Sequence, residues 1–269
     1  MKPSSIFARL QSRFRRDMAR CLERRLCNIH AQVPIISFTF DDFPLSASIT
    51  GGAVLKHHGC VGTYYASLGL MGRDTLTGRI FEAADLEPLV AQGHELGCHT
   101  FDHCHSWDTA PQEFEASVLR NRRSISQLLR QVDFTSFSYP ISCPRPQTKR
   151  RAAKYFSCLR GGGQTFNAGT TDMNYLKAFF LEQSRDNFDG IRQTIEANAR
   201  EHGWLIFATH DVCDSPTRYG CTPRFLEQVV DYAANSGAAL LPVHQAWLRI
   251  QSQSRLSPGL QPIHAASAT

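Results

Sequence analysis

The sequence predicts an α/β protein built as one barrel of about eight parallel strands. Three observations carry this. From Val33 onward, short apolar runs alternate with helix-length amphipathic segments, and such alternation means parallel strands joined by crossover helices. The runs fill about 220 residues, the length of one barrel rather than of two separate sheets. No low-complexity linker or internal repeat divides them. A doubly wound open sheet is the competing architecture.

The elements follow in order. Over residues 5–28, Phe7, Leu10, Phe14, Met18, Leu22 and Leu26 recur at helical spacing, and Arg9, Arg13, Arg15, Arg16, Arg20, Arg24 and Arg25 fill much of the rest. This reads as a basic amphipathic helix over 1–30. Either its apolar stripe packs on the main domain, or the helix lies on an anionic membrane surface through residues 5–28. Strands are expected at Val33–Phe40, Val61–Ser67, Glu95–His99, Ser136–Pro140, Tyr155–Arg160, Ala178–Leu181, Trp204–His210 and Ala238–Val243. Helices are expected around Ile49–His58, Glu82–Gln92, Gln112–Gln131, Asn187–His202 and Thr222–Asn235, the last opening on the N-cap and proline pair Thr222-Pro223. The catalytic domain is placed at 31–250. Residues 251–269, rich in Ser, Ala, Pro and Gln, read as a disordered tail.

Composition excludes several classes. With 42% hydrophobic and 20% charged residues, the chain of 269 has an ordinary globular composition. The net charge of +5 is gathered near the N-terminus, which argues against a nucleic-acid surface. Nine cysteines at irregular spacing, with no CxxC pair, argue for a reducing compartment rather than a disulfide scaffold. No apolar run reaches the ~18–20 residues of a membrane helix, and no secretory signal is recognisable. The expected location is cytoplasmic, with peripheral membrane contact through the basic helix as an option.

Chemistry collects at three strand ends. Asp41 and Asp42 close the first strand; two adjacent carboxylates are costly to desolvate without a nearby positive charge, though a pair of turn aspartates is the bland alternative. His99 and His103 follow the third strand. Four residues apart on a helical turn, they would stand about 5–6 Å apart at Cβ and share one metal ion. Thr100 and Asp102 are candidates to hold their ring N–H groups, and Cys98 and Cys104 read as packing residues. His210 ends the strand Trp204–His210. Each cluster alone is unremarkable; together they fall at the C-terminal ends of parallel strands, the face on which barrel sites are built.

These residues resemble the polysaccharide deacetylase family, carbohydrate esterase family 4, over most of residues 33–250. Thr39-Phe40-Asp41-Asp42 matches its first motif and His99-Thr100-Phe101-Asp102-His103 its His-Ser/Thr-x-x-His motif. Ala208-Thr209-His210 resembles its last motif. The middle departs from the pattern: in Phe137-Ser138-Tyr139-Pro140-Ile141-Ser142, Ser138 stands where the family has arginine and Ile141 where it has an aromatic. Arg160 is the preferred replacement for that arginine and Arg145 the second candidate. Asp172 and Glu182 are weak candidates for the Asp-rich fourth motif. The resemblance implies a distorted (β/α) barrel of seven to eight parallel strands and a metal-dependent deacylation of an amino-sugar glycan. Asp42, His99 and His103 would hold the metal, zinc first, with cobalt, nickel or iron(II) also suited. Asp41 would be the general base, His210 the general acid, and the Ile141 N–H an oxyanion donor. Two rival readings are a deformylase or deacetylase of a membrane lipid-linked amino sugar, and a non-catalytic glycan-binding module of the same fold. Substrate contacts are expected from the loops Ser106–Pro111, Gly161–Thr171 and Cys213–Cys221.

Overall fold

The computed structural model describes residues 6–141 and 143–256. Its strands are β1 (Leu26–Ile29), β2 (Ile35–Phe40), β3 (Thr63–Ala66), β4 (Asp74–Thr75), β5 (Gly78–Arg79), β6 (Glu95–Cys98), β7 (Ser136–Ser138), β8 (Cys158–Arg160), β9 (Gly169–Asp172), β10 (Phe179–Phe180), β11 (Trp204–Thr209) and β12 (Ala239–Leu240). Its helices are α1 (Ile6–Cys21), α2 (Gly52–His57), α3 (Ala83–Ala91), α4 (Pro111–Leu128), α5 (Pro146–Ala152), α6 (Phe188–Arg200), α7 (Pro223–Ala234) and α8 (Val243–Leu256).

Seven strands form a parallel sheet in the order β10-β11-β2-β3-β6-β7-β8. The sheet curls into a distorted barrel. Its edges approach through Leu176, which bridges Arg160 and exchanges backbone hydrogen bonds with Leu159 and Gly161. The distortion has a visible cause at β2. Its N-terminal half pairs with β12 at Ile35 and Ile36, its C-terminal half with β3 at Thr39 and Phe40. β12 therefore wedges between β2 and β3 at the bottom of the barrel.

Alternation along the strands separates two buried faces. Ile36, Phe38 and Phe40 of β2 join Leu205 and Phe207 of β11 in the core shared with the surrounding helices. Ile35, Trp204, Ile206 and Ala208 form a second cluster with Val243, Ala246 and Ile250 of α8. That cluster lies inside the barrel, where Trp204 Nε1 donates to Ser37 Oγ at 2.9 Å.

All eight expected strands and all five expected helices exist, with ends shifted by a few residues. α5, the two-strand pairings β1–β9 and β4–β5, and the full length of α8 carried no sequence signal strong enough to place them. α8 runs to Leu256, so residues 251–256, expected in the tail, are helical, and the remainder of that tail lies outside the described residues. The expected N-terminal helix ends at Cys21 rather than 28. Glu23 turns left-handed, and the buried Lys149 ammonium takes the carbonyls of Ala19 and Leu22, each at 2.8 Å, while pairing with Asp172. This closes the helix as C-terminal cations do, and the chain continues as β1 against β9. Among the described residues no helix is long and apolar enough to cross a membrane.

Candidate active site

The register of β11 on β2 pairs Thr209 with Phe40, and Asp41 N–H donates to Thr209 carbonyl at 2.9 Å. Asp41 and His210 therefore leave neighbouring strands side by side. Two-residue periodicity carries the interior face onward from Thr39 to Asp41, from Gly97 to His99 and from Ala208 to His210. One mouth of the barrel thus receives groups that are more than 160 residues apart in the chain.

The two aspartates turn to different partners. Asp42 Oδ1 lies 3.0 Å from His103 Nε2 and 3.5 Å from His99 Nε2, with its other oxygen accepting from Thr77 Oγ1 at 3.0 Å. The three donor atoms lie within 4.8 Å of one another. His99 and His103 do not sit on a helical turn: the stretch is a loop in which Thr100 and His103 are left-handed. Nor do Thr100 and Asp102 hold the rings. Thr100 Oγ1 accepts from Cys104 N–H and Asp102 from Ser117 Oγ, so both shape the loop. The His99 ring is set by Ser138, whose carbonyl lies 2.8 Å from Nδ1.

This arrangement fits a cation. A carbonyl can only accept, so His99 Nδ1 carries the proton, and burial pushes the ring down to about 4, keeping it neutral. Its Nε2 lone pair then faces a carboxylate oxygen that is buried and accepts no aligned hydrogen bond. One carboxylate and two imidazoles whose donor atoms converge in this way are the donor set of an open metal site.

Asp41 turns the other way, into an ion pair with Arg160. Arg160 is 1% exposed and lies over the Tyr65 ring at 4.7 Å. Burial works to raise the Asp41 carboxyl, but the charged groups beside it, the Arg160 guanidinium foremost, outweigh burial and hold Asp41 below its usual value. Gly97 makes room for this layer, since a Cβ there would stand 2.5 Å from the Tyr65 ring. Arg145 is elsewhere, donating to Trp107 carbonyl at 2.6 Å. Asp172 anchors α1 through Lys149, away from the site. Glu182 lines the cleft, with Oε2 buried and unpartnered, and burial pushes it up to about 8.

His210 Nδ1 lies 3.2 Å from Tyr219 carbonyl, which leaves Nε2 free to face the cleft. Ile141 has φ of 66°, a strained setting for a β-branched residue. Its N–H finds no partner among the described residues. Asp42, Phe43, Thr100 and His103 are left-handed as well, so backbone strain gathers around this mouth.

The cleft above these groups holds about 960 Å³. Gly161–Gln164 and Tyr219 line it, from two of the loops expected to do so. The Ser106–Pro111 loop does not. It holds α1 instead, through Asp108 at 3.0 Å from Arg15 and through Trp107 beneath the same guanidinium. α1 in turn supplies a cleft wall, with Gln11, Ser12, Arg15, Arg16 and Arg20. Sequence reading missed this wall, and also Thr77 and the Ser138 carbonyl, because neither a hairpin threonine nor a backbone oxygen leaves a pattern.

Residues 29–157 match the family model of polysaccharide deacetylase. Those residues belong to the polysaccharide deacetylase family. Solved structures extend the likeness in fold across the barrel. A deacetylase solved with substrate shares 18% identity at a TM-score of 0.55, over 80% of this chain and 92% of that one. A family 4 acetyl xylan esterase from Clostridium thermocellum, in complex with a cobalt ion, shares 18% at 0.53, over 80% and 90%. A family 4 pseudoenzyme from Bacillus anthracis shares 13% at 0.55, over 80% and 66%. No curated protein matches the chain. The polysaccharide deacetylase match contains Asp41, Asp42, His99, His103 and Ile141 and stops short of Arg160 and His210.

Proposed function

We propose that the chain hydrolyses an N-acyl group, acetyl first, from an amino sugar in a polysaccharide, oligosaccharide or lipid-linked glycan. One observation carries this reading. Adjacent carboxylates are divided between two tasks, Asp42 with two imidazoles and Asp41 with an arginine.

Asp42, His99 and His103 would hold a divalent metal, zinc before cobalt, nickel or iron(II). When bound, such an ion lowers the pKa of water towards ~7 and polarises an acyl oxygen. The rest falls to the chain's own groups. Asp41, kept ionised by Arg160, takes the proton of the attacking water. The Ile141 N–H donates to the acyl oxygen as charge develops there. His210, its Nδ1 oriented by Tyr219 carbonyl, delivers a proton from Nε2 to the departing sugar nitrogen. The buried layer of Tyr65 and Arg160 excludes water behind Asp41.

Metal analysis combined with free-amine release from chitooligosaccharides, peptidoglycan fragments and lipid-linked amino sugars tests the reading. Asp41→Asn should lower turnover at least about 10³-fold with metal content intact. His99→Ala or His103→Ala should lose the metal. Wild-type turnover in the first variant, or stoichiometric metal in both of the others, removes the assignment. Sugar binding without amine release across the panel would point instead to a glycan-binding module.

A second reading, a membrane lipid-linked substrate carrying an acetyl or formyl group, is favoured by α1. Leu10 is 61% and Phe14 59% exposed on a helix that also walls the cleft. Flotation with anionic liposomes should weaken in the Leu10→Gln, Phe14→Gln double variant. Equal flotation of the two proteins removes the reading.

A further inference from the structure

α1 bears five arginines and one aspartate. It is fixed at its C-terminal end by Lys149 and along its length by the Arg15–Asp108 pair. Two of its arginines stand one turn apart on the cleft side, Arg16 and Arg20. Arg16 Nη1 donates to Ser12 Oγ at 2.7 Å, which keeps its fork along the cleft wall. Among the described residues neither Arg16 nor Arg20 is paired with a carboxylate. Arg13 is the partner of Asp17, and Arg15 the partner of Asp108. The acids that share the cleft do not answer them either. Asp41 is taken by Arg160, and Asp42 faces the imidazoles and Thr77. Glu182, pushed up to about 8 by burial, is uncharged near neutrality.

An N-acyl sugar is neutral at its amide and becomes a cationic amine on hydrolysis. Guanidinium groups with no carboxylate partner can donate hydrogen bonds to a neutral glycan, but their charge goes unanswered there and disfavours its cationic product. They suit a glycan that carries negative charge near the scissile amide. We propose that Arg16 and Arg20 form a subsite for an anionic substituent of the substrate, a phosphate or carboxylate held by guanidinium forks. α1 is thereby a specificity element of the cleft.

The turnover arm of the test rests on the deacylase reading and the binding arm does not. The probes are one N-acetylhexosamine as its methyl glycoside, as its 1-phosphate and as a disaccharide with a uronic acid. Calorimetric titration of full-length protein should show the phosphate or the uronate sugar binding roughly tenfold tighter than the methyl glycoside. That preference should collapse towards one in Arg16→Gln, Arg20→Gln. It should also shrink between roughly 50 and 300 mM salt, as the Debye length falls from about 14 Å to about 6 Å. Arg13→Gln, outside the cleft lining, should retain it. In amine-release assays the KM ratio between anionic and neutral sugars should collapse in the double variant, with kcat moving little. Which anionic sugar shows the preference separates phosphate from carboxylate. Anion-dependent binding without amine release would overturn the deacylase reading and leave the subsite standing. Amine release with no anionic preference, or a preference that survives in the double variant, would overturn the subsite and leave the deacylase standing.

Discussion

Replacing Arg160 with Gln takes away the guanidinium that contacts Asp41 inside the barrel. Both side chains are almost wholly buried, at 1% and 6% exposure, so the carboxylate left behind has no solvent to turn to. Removing one partner of such a pair costs about 3–5 kcal/mol. Part of that cost is felt as a rise in the Asp41 pKa, because the ionised carboxylate has lost its cation while its burial remains. The sign follows from the pair. In the wild type Asp41 lies below its usual value, so its contribution to stability is complete above the unfolded-state pKa and fades as pH falls through the folded one. In the variant the carboxyl lies above its usual value, and ionising it opposes folding as pH rises. The stability gap between the two proteins should therefore be widest near pH 7 and narrow markedly towards about pH 4, where protonated Asp41 needs no cation. The acidic limb of kcat/KM should move to higher pH, because Asp41 must be ionised to act as base. Urea unfolding at both pH values and a pH–rate profile on an accepted substrate measure the two effects. Superimposable rate profiles, or an equal stability loss at both pH values, would refute the role given to this pair. Arg160→Lys, which keeps the charge but loses the planar stack on Tyr65, should fall between the two proteins.

Thr77→Val removes the hydroxyl that orients Asp42, and should weaken metal affinity about 10–100-fold; unchanged affinity by competition with a chelating dye would show that the contact does not orient the carboxylate. Ile141→Asn keeps the amide N–H but places a residue tolerant of positive φ at a strained position. It should stabilise the fold by about 1 kcal/mol without loss of kcat, and a lower Tm would contradict the strain. Gly97→Ala pushes a methyl into the Tyr65 ring and should cost about 1–3 kcal/mol in denaturant unfolding; a neutral result would mean that the interior layer is loosely packed.

Much of the barrel was legible because its signals are local. Each of the eight strands is an apolar run bounded by turn residues, and the strand–helix rhythm specifies parallel pairing without reference to any contact. Asp41, Asp42, His99, His103 and His210 were legible for a related reason. Each stands at the end of such a run or in the loop that leaves it, and parallel strands deliver their C-terminal ends to one mouth. What failed locally was the loop after β6. Helical spacing suggested a shared helix face for His99 and His103, whereas left-handed Thr100 and His103 bring the rings together by a different path. Thr100 and Asp102 instead brace the loop, and a backbone carbonyl on β7 orients the His99 ring.

The sequence by itself determined the eight strands of the main sheet, the parallel order of chemistry along the chain, and which titratable groups stand at strand ends. Only the tertiary structure decided which of those groups meet. Arg145 and Arg160 are equivalent as letters, yet the pairing of β8 beside β7 turns Arg160 into the barrel against Asp41, while Arg145 starts α5 outside. α1 is the sharper case. Its pattern states that one stripe is apolar and the rest basic, and burial preference alone would turn the stripe inward. Lys149, Asp108 and Trp107, all distant in sequence, dock a different side of the helix, leave Leu10 and Phe14 in solvent and bring Arg16 and Arg20 to the cleft. Periodicity specifies the faces a helix has; the partners that choose among them lie elsewhere in the chain.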